Sequence, residues 1–198
     1  ATALSPKLIY EVIRREGEEE LARSKRSLIW SGIAAGIMIS LSVLGEAVFR
    51  TYLPDTPHRF LIENLGYSLG FLAVIMGRMQ LFTENTHHAT SMGAYQGFWR
   101  AIPAGVIVAL IVWMMPQADE TSFFLILVFT WLIAAGDFAH IVAGSVEMAV
   151  MILNGQLGVF AAVFEFFLPV LAGNIVGGTI IFTLVAWGQV RDEVEEDK

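Results

Sequence analysis

Between Leu28 and Val190 the chain carries only four basic residues, Arg50, Arg59, Arg78 and Arg100. Six of its 12 Lys and Arg precede Leu28, and two more lie in the last eight residues. The interior therefore holds apolar runs on the scale of a bilayer core, which takes a helix of about 20 mostly apolar residues to cross. Five stretches qualify: 28–49, 60–82, 98–115, a long one at 122–153, and 157–187. Buried helices of a large soluble protein would look similar locally. A chain of 198 residues, however, cannot supply the polar surface needed to wrap five of them. Its 16% of charged residues also falls below the roughly one quarter of an ordinary soluble domain. The fold class that follows is all-α and integral to a membrane.

The ends are different in character. Ser5-Pro6 reads as an N-cap followed by proline at the first helical position. The segment after it mixes apolar and charged residues at helical spacing, so residues 1–27 are expected to form an amphipathic surface helix. Arg23, Lys25 and Arg26 abut the first span, and the positive-inside rule then puts the N-terminus in the cytoplasm. No apolar core of a secretory signal is visible in these residues. Residues 28–188 form the membrane domain, and 189–198 an acidic cytoplasmic tail. The net charge of −7 comes largely from acidic patches at 16–20 and 192–197, which argues against nucleic-acid binding. Cysteine is absent, so the redox compartment cannot be read.

Within the apolar region the run Ile33-Ala34-Ala35-Gly36-Ile37-Met38-Ile39-Ser40-Leu41 is similar to Ile102-Pro103-Ala104-Gly105-Val106-Ile107-Val108-Ala109-Leu110. A polar-interrupted apolar segment follows each copy. The first interruption spans Gly77 to Thr86, and the second spans Gly136 to Ser145. Paired interruptions of this kind predict an inverted-repeat transporter with its site at two broken helices. Irregular backbone at membrane depth is tolerated only where it faces protein or a watery cavity. Three pairs with GxxxG spacing, Gly32/Gly36, Gly66/Gly70 and Gly173/Gly177, predict close helix approach.

Three motifs carry a resemblance. They are LFTENT at 81–86, FAHIVAGS at 138–145, and Gly173-Asn174-Ile175-Val176-Gly177-Gly178. Together and in this order they resemble the formate/nitrite transporter family over nearly the whole chain. The resemblance implies a homopentamer of six-span protomers in a bacterial inner membrane. Each protomer would have its own pore for small monovalent anions such as formate, nitrite or hydrosulfide. It implies that His140 is the central pore histidine and that Leu81, Phe82 and Thr83 form the loop at the first break. Asn174 would be the polar residue of the last span facing the pore. Tyr67 and Phe71, one turn apart and ahead of Gly77, are candidates for the constriction.

The sequence also departs from that pattern. Ala139 stands where the family often has an acidic residue, Gly144 where it often has Asn, and Gln80 where an acidic residue precedes the LFT triplet. A span is also missing. Only His87 to Gly97 lies where a third span is expected, and it is too short and polar to cross. Five visible spans of an expected six would break the inverted symmetry, so a segment is expected to be missing near Thr86 and His87, either deleted from the protein or only absent from this sequence.

The chemistry of such a site is simple. An anion at bilayer depth faces a large desolvation cost. Histidine has an ordinary pKa near physiological pH, so it can attract the anion as imidazolium, or hand it a proton and pass it on as a neutral acid. Ionisable groups inside membrane spans are usually functional, which favours a pore role for His140 over a merely structural one. Asp137, three residues earlier, would either modulate that histidine or face water at the helix break. Glu147 would line the same vestibule or a subunit interface. Thr83 would offer its hydroxyl to the anion, cap a half-helix, or do both.

The partners expected are a small monovalent anion, a proton and the bilayer. The alternative is a non-transporting membrane scaffold or sensor on the same framework, or a deleted variant of the channel. No enzyme motif such as HExxH or GxSxG occurs. His87 and His88 alone make a weak metal signal, so neither metal nor cofactor is expected.

Overall fold

A computed structural model describes residues 4–77 and 93–195. The described residues are almost entirely helical. Helix α1 (Pro6–Ala22) starts as the sequence predicts, with Pro6 in its first turn and Ser5 Oγ accepting the Leu8 N–H at 3.3 Å. Its apolar side packs on the last helix, where Tyr10 meets Trp187 with ring centroids 5.8 Å apart. Ser24 caps α2 (Lys25–Tyr52) in the same way, accepting the Ser27 N–H.

The second crossing is two helices in line, α3 (Arg59–Glu63) and α4 (Tyr67–Met76). After residue 93 come α5 (Ala94–Ala118), α6 (Ser122–Ala135) and α7 (Ile141–Leu153). The last crossing starts as α8 (Val159–Ala161) and α9 (Leu168–Ile175) and ends as α10 (Thr183–Glu195). These three segments are joined by π-helical turns at Ala162–Phe167 and Val176–Phe182. An extra residue per turn of this kind often marks a functional region of a helix.

Among the described residues four helices are long and apolar enough to cross a membrane: Lys25–Tyr52, Arg59–Met76, Ala94–Ala118 and Val159–Asp192. That count does not confirm the five spans expected from the sequence, two of them broken. The apolar stretch 122–153 is not one helix but two, of 14 and 13 residues. At 1.5 Å per residue each reaches about 20 Å, short of the roughly 30 Å core. One of the two predicted breaks is therefore seen, between α6 and α7. The other, after Gly77, lies outside the described residues.

Glycine lets two helix pairs touch backbone to backbone. In the α2–α4 pair, a methyl on Gly66 would run into the Glu46 amide, and one on Gly70 into Ser42 and Ile39. Ser42 Oγ accepts the Gly70 N–H at 3.2 Å and donates to the Tyr67 carbonyl, so the same contact is also hydrogen-bonded. In the α5–α9 pair, methyls on Gly173 and Gly177 would strike the carbonyls of Phe98 and Ile102, and one on Gly105 the carbonyl of Asn174. Helix α6 is tied to α4 by Thr130, whose hydroxyl donates to Ser68 Oγ at 2.8 Å, and by Ser68, which donates to the Leu127 carbonyl.

The two copies of the sequence repeat are packed differently. Gly105 is covered by the last crossing, whereas a methyl on Gly36, its counterpart in α2, would meet nothing within 4 Å among the described residues. Ile33 and Ile37 beside it are exposed, while Ala35 and Ile39 are buried.

Candidate functional site

The site is built at the break between α6 and α7. Helix α6 ends at Gly136, and Asp137 takes the left-handed conformation with φ +57°. Asp is one of the few non-glycine residues that tolerate this region. The turn closes with the Phe138 N–H donating to the Ile133 carbonyl at 3.0 Å. The chain then runs extended through His140, the N-cap residue of α7. The Ala139 N–H donates across to the Arg100 carbonyl on α5 at 3.1 Å.

A break at this depth leaves backbone groups that water cannot reach, and each must find a partner. Asn174, on α9, supplies most of them. Its Oδ1 accepts the Ile141 N–H at 2.8 Å, one of the donors orphaned at the start of α7. Its Nδ2 donates to the Ala139 carbonyl at 3.1 Å and to the Ala101 carbonyl at 2.7 Å. One amide therefore ties the break to both α5 and α9. An Asn in an apolar span signals in sequence that it must be paired, but not with what.

His140 is 1% exposed. On one side its ring lies against Phe71, with centroids 6.0 Å apart, and Phe71 stacks in turn on Tyr67 at 4.9 Å. Tyr67 and Phe71 are both buried. The structure thus brings together three sequence-predicted site residues as one aromatic column. On the other side His140 and Asn174 border a cavity of about 490 Å³. Gly105, Gly178, Thr179 and Trp113 line it further, as do Tyr10 and Ile13 of α1. The cavity is mostly apolar, with hydroxyls from Thr179 and Thr183.

Asp137 is not brought to His140 on a shared helical face, because the helix ends before it. Its half-exposed carboxylate forms an ion pair with Arg100. Leu81, Phe82 and Thr83, and with them His87 and His88, lie outside the described residues. Among the described residues no group of three or more His, Asp or Glu is arranged to hold a metal ion.

Sequence reasoning named Glu147 but passed over the charged residues grouped with it, Glu46, Arg50, Arg59 and Glu63. Glu63 is buried and paired with Arg50 at 2.7 Å and with Arg59 at 3.4 Å. Glu46, also buried, lies one turn before Arg50 on α2. Glu147 on α7 lies within electrostatic reach of both Glu46 and Arg50. Ionisable residues inside apolar spans were the available signal.

The likeness to known proteins agrees with this architecture. The sequence matches the formate/nitrite transporter family over residues 7–92 and 86–188. It is 35% identical to "Inner membrane protein YfdC" of Escherichia coli (strain K12), over 96% of this chain and 80% of that protein. That alignment is 249 residues long, longer than the 198-residue chain, so the relative has positions with no counterpart here. The fold is similar to a solved pentameric formate channel with formate bound, at a TM-score of 0.69 and 16% identity. That match covers 83% of this chain and 98% of the channel chain. By its matched sequence and its share of YfdC, the chain belongs to the formate/nitrite transporter family.

Proposed function

We propose that the chain is a channel or proton-coupled transporter for small monovalent weak-acid anions of the formate, nitrite or hydrosulfide kind, and not an enzyme. The observation that carries the reading is the setting of His140. A buried ionisable side chain sits at a helix break, with an aromatic column on one side and a cavity on the other. In an apolar span that arrangement has a high cost unless it serves a passing ligand.

Below its pKa the imidazolium attracts an anion arriving through the cavity and donates a hydrogen bond to it. The ring N–H proton then passes to the anion's oxygen or sulfur. The neutral acid crosses the Tyr67–Phe71 constriction at a fraction of the anion's desolvation cost. It gives its proton back to water beyond, and the imidazole takes a new proton from the side it came from. Asn174 holds the break in register, and Thr83 of the LFT triplet offers a hydroxyl to the anion. Residues 28–188 are the transport unit, α1 is a cytoplasmic surface helix, and 189–198 is a cytoplasmic tail. The assembly is a homopentamer in the inner membrane, as the names of the similar channel and of YfdC suggest.

Protein reconstituted in liposomes is expected to pass radiolabelled formate, or nitrite or hydrosulfide, faster than protein-free vesicles, and faster as pH falls. No flux of any small weak-acid anion across that range would contradict the reading. A second reading is a non-transporting scaffold or sensor, or a channel variant with a segment deleted. The uncovered face at Gly36 and the unmatched positions of YfdC favour it, and the same flux assay separates the two.

A further inference from the structure

The charged cluster at the C-terminal end of α2 is not used by the steps above. Glu46 lies 21 residues past Lys25, about 31 Å along the helix axis, so the cluster is far from the α1 end of the molecule. It nevertheless points toward His140 along two walls. On α3 and α4, Glu63, Tyr67 and Phe71 follow at four-residue spacing, and Phe71 touches the histidine ring. On α7, of which His140 is the N-cap, Glu147 comes seven residues after His140, about 10 Å further along the axis. The aromatic column therefore separates His140 from a charged mouth.

Among the described residues, three carboxylates and two guanidinium groups gather at that mouth. Glu46, Glu63 and Glu147 lie within electrostatic reach of Arg50, and Glu63 also pairs with Arg59. Asp55 also pairs with Arg59, but it is almost fully solvated. Glu147 Oε2 is shielded from solvent and has no hydrogen-bond partner among the described residues. Of the other elements packed on α7, α9 carries no charged residue. The π-helical turn at Ala162–Phe167 carries only Glu165, which is exposed. Among the described residues, the charge around Glu147 is thus set by α2, α3 and α7.

We propose that Glu147 is a specificity-determining residue that sets the net charge of this mouth: the carboxylate repels an entering anion, and one bound proton admits it. The inference rests on the anion-transport reading. A unit charge about 10 Å from an ion in a partly buried setting changes its local population by about tenfold. The mouth would then select for anions accompanied by a proton before they reach His140.

The test is formate influx into proteoliposomes between pH 5.5 and 7.5, counted above protein-free vesicles. Glu147→Gln removes the excess charge and is expected to raise influx at pH 7.5 about tenfold and to flatten the pH profile. Glu147→Asp keeps the charge and should keep the wild-type slope. Glu46→Gln should shift the profile in the same direction, and it serves if the Glu147 variant fails to reach the membrane. Wild-type profiles in both Gln variants would overturn the proposal and leave the transport reading standing. Equal loss of flux in Glu147→Gln and Glu147→Asp would also overturn it, by making Glu147 structural. A wild-type protein that passes none of the three anions would remove the transport reading and this inference together.

Discussion

At the residue scale, Asn174 does what the break requires. One side chain satisfies an N–H of α7 and two carbonyls on separate segments. Asn174→Ala takes this partner from the Ile141 N–H and the Ala139 carbonyl at the break, and is expected to cost about 2 kcal/mol, since hydrogen bonds between membrane helices are individually modest but orphaned groups are not. Thermal unfolding in detergent, followed by tryptophan fluorescence, should show a lower midpoint; an unchanged midpoint would mean that Asn174 is not the clamp. Asp137→Val should also destabilise, by about 1–2 kcal/mol, because a β-branched residue is strained at φ +57°. Asp137→Asn should keep the backbone and lose only the pairing with Arg100. His140 and Asn174 were legible in the sequence as polar residues where polarity is costly. Their partners were not, because Asn174 bonds to groups 33 to 73 residues away, a matter of tertiary folding. Asp137 was misplaced by assuming helical periodicity through a point where Gly136 ends the helix.

At the scale of elements, glycine determines which helices meet. A methyl on Gly177 would strike the Ile102 carbonyl, and backbone cannot yield as a flexible side chain would. Gly177→Ala and Gly66→Ala are each expected to cost about 1–3 kcal/mol, the usual range for overpacking. Gly36→Ala, with nothing nearby, should leave the melting temperature unchanged or slightly raise it, because alanine is the better helix former. The three variants measured side by side in one detergent check this, and equal effects at Gly36 and Gly177 would contradict it. The GxxxG spacings were visible in the sequence, but spacing alone does not say which small faces are covered. The bounds of the first span were legible to within about three residues from apolar content alone, 28–49 against Lys25–Tyr52. The division of 122–153 was legible only as excess length joined to Gly136, Asp137 and His140.

At the scale of the whole molecule, the two halves are unequal. The α5 face at Gly105 is packed under the last crossing, while the corresponding α2 face is open and lined by exposed Ile33 and Ile37. The missing third span expected from the sequence would leave such a face uncovered, and YfdC has positions that this chain lacks. A pentamer is expected all the same, since α2 and the last crossing still present broad apolar surfaces. Native mass spectrometry from detergent should give five times the 21.8 kDa of one chain, and a monomer would contradict the assembly. The claim on which everything else depends is that an anion path runs past His140. The most direct measurement is formate flux into proteoliposomes by the wild type and by His140→Ala at pH 5.5, with matched amounts of folded protein. His140→Ala is expected to lose most of the wild-type flux. Wild-type flux in His140→Ala would place the path elsewhere.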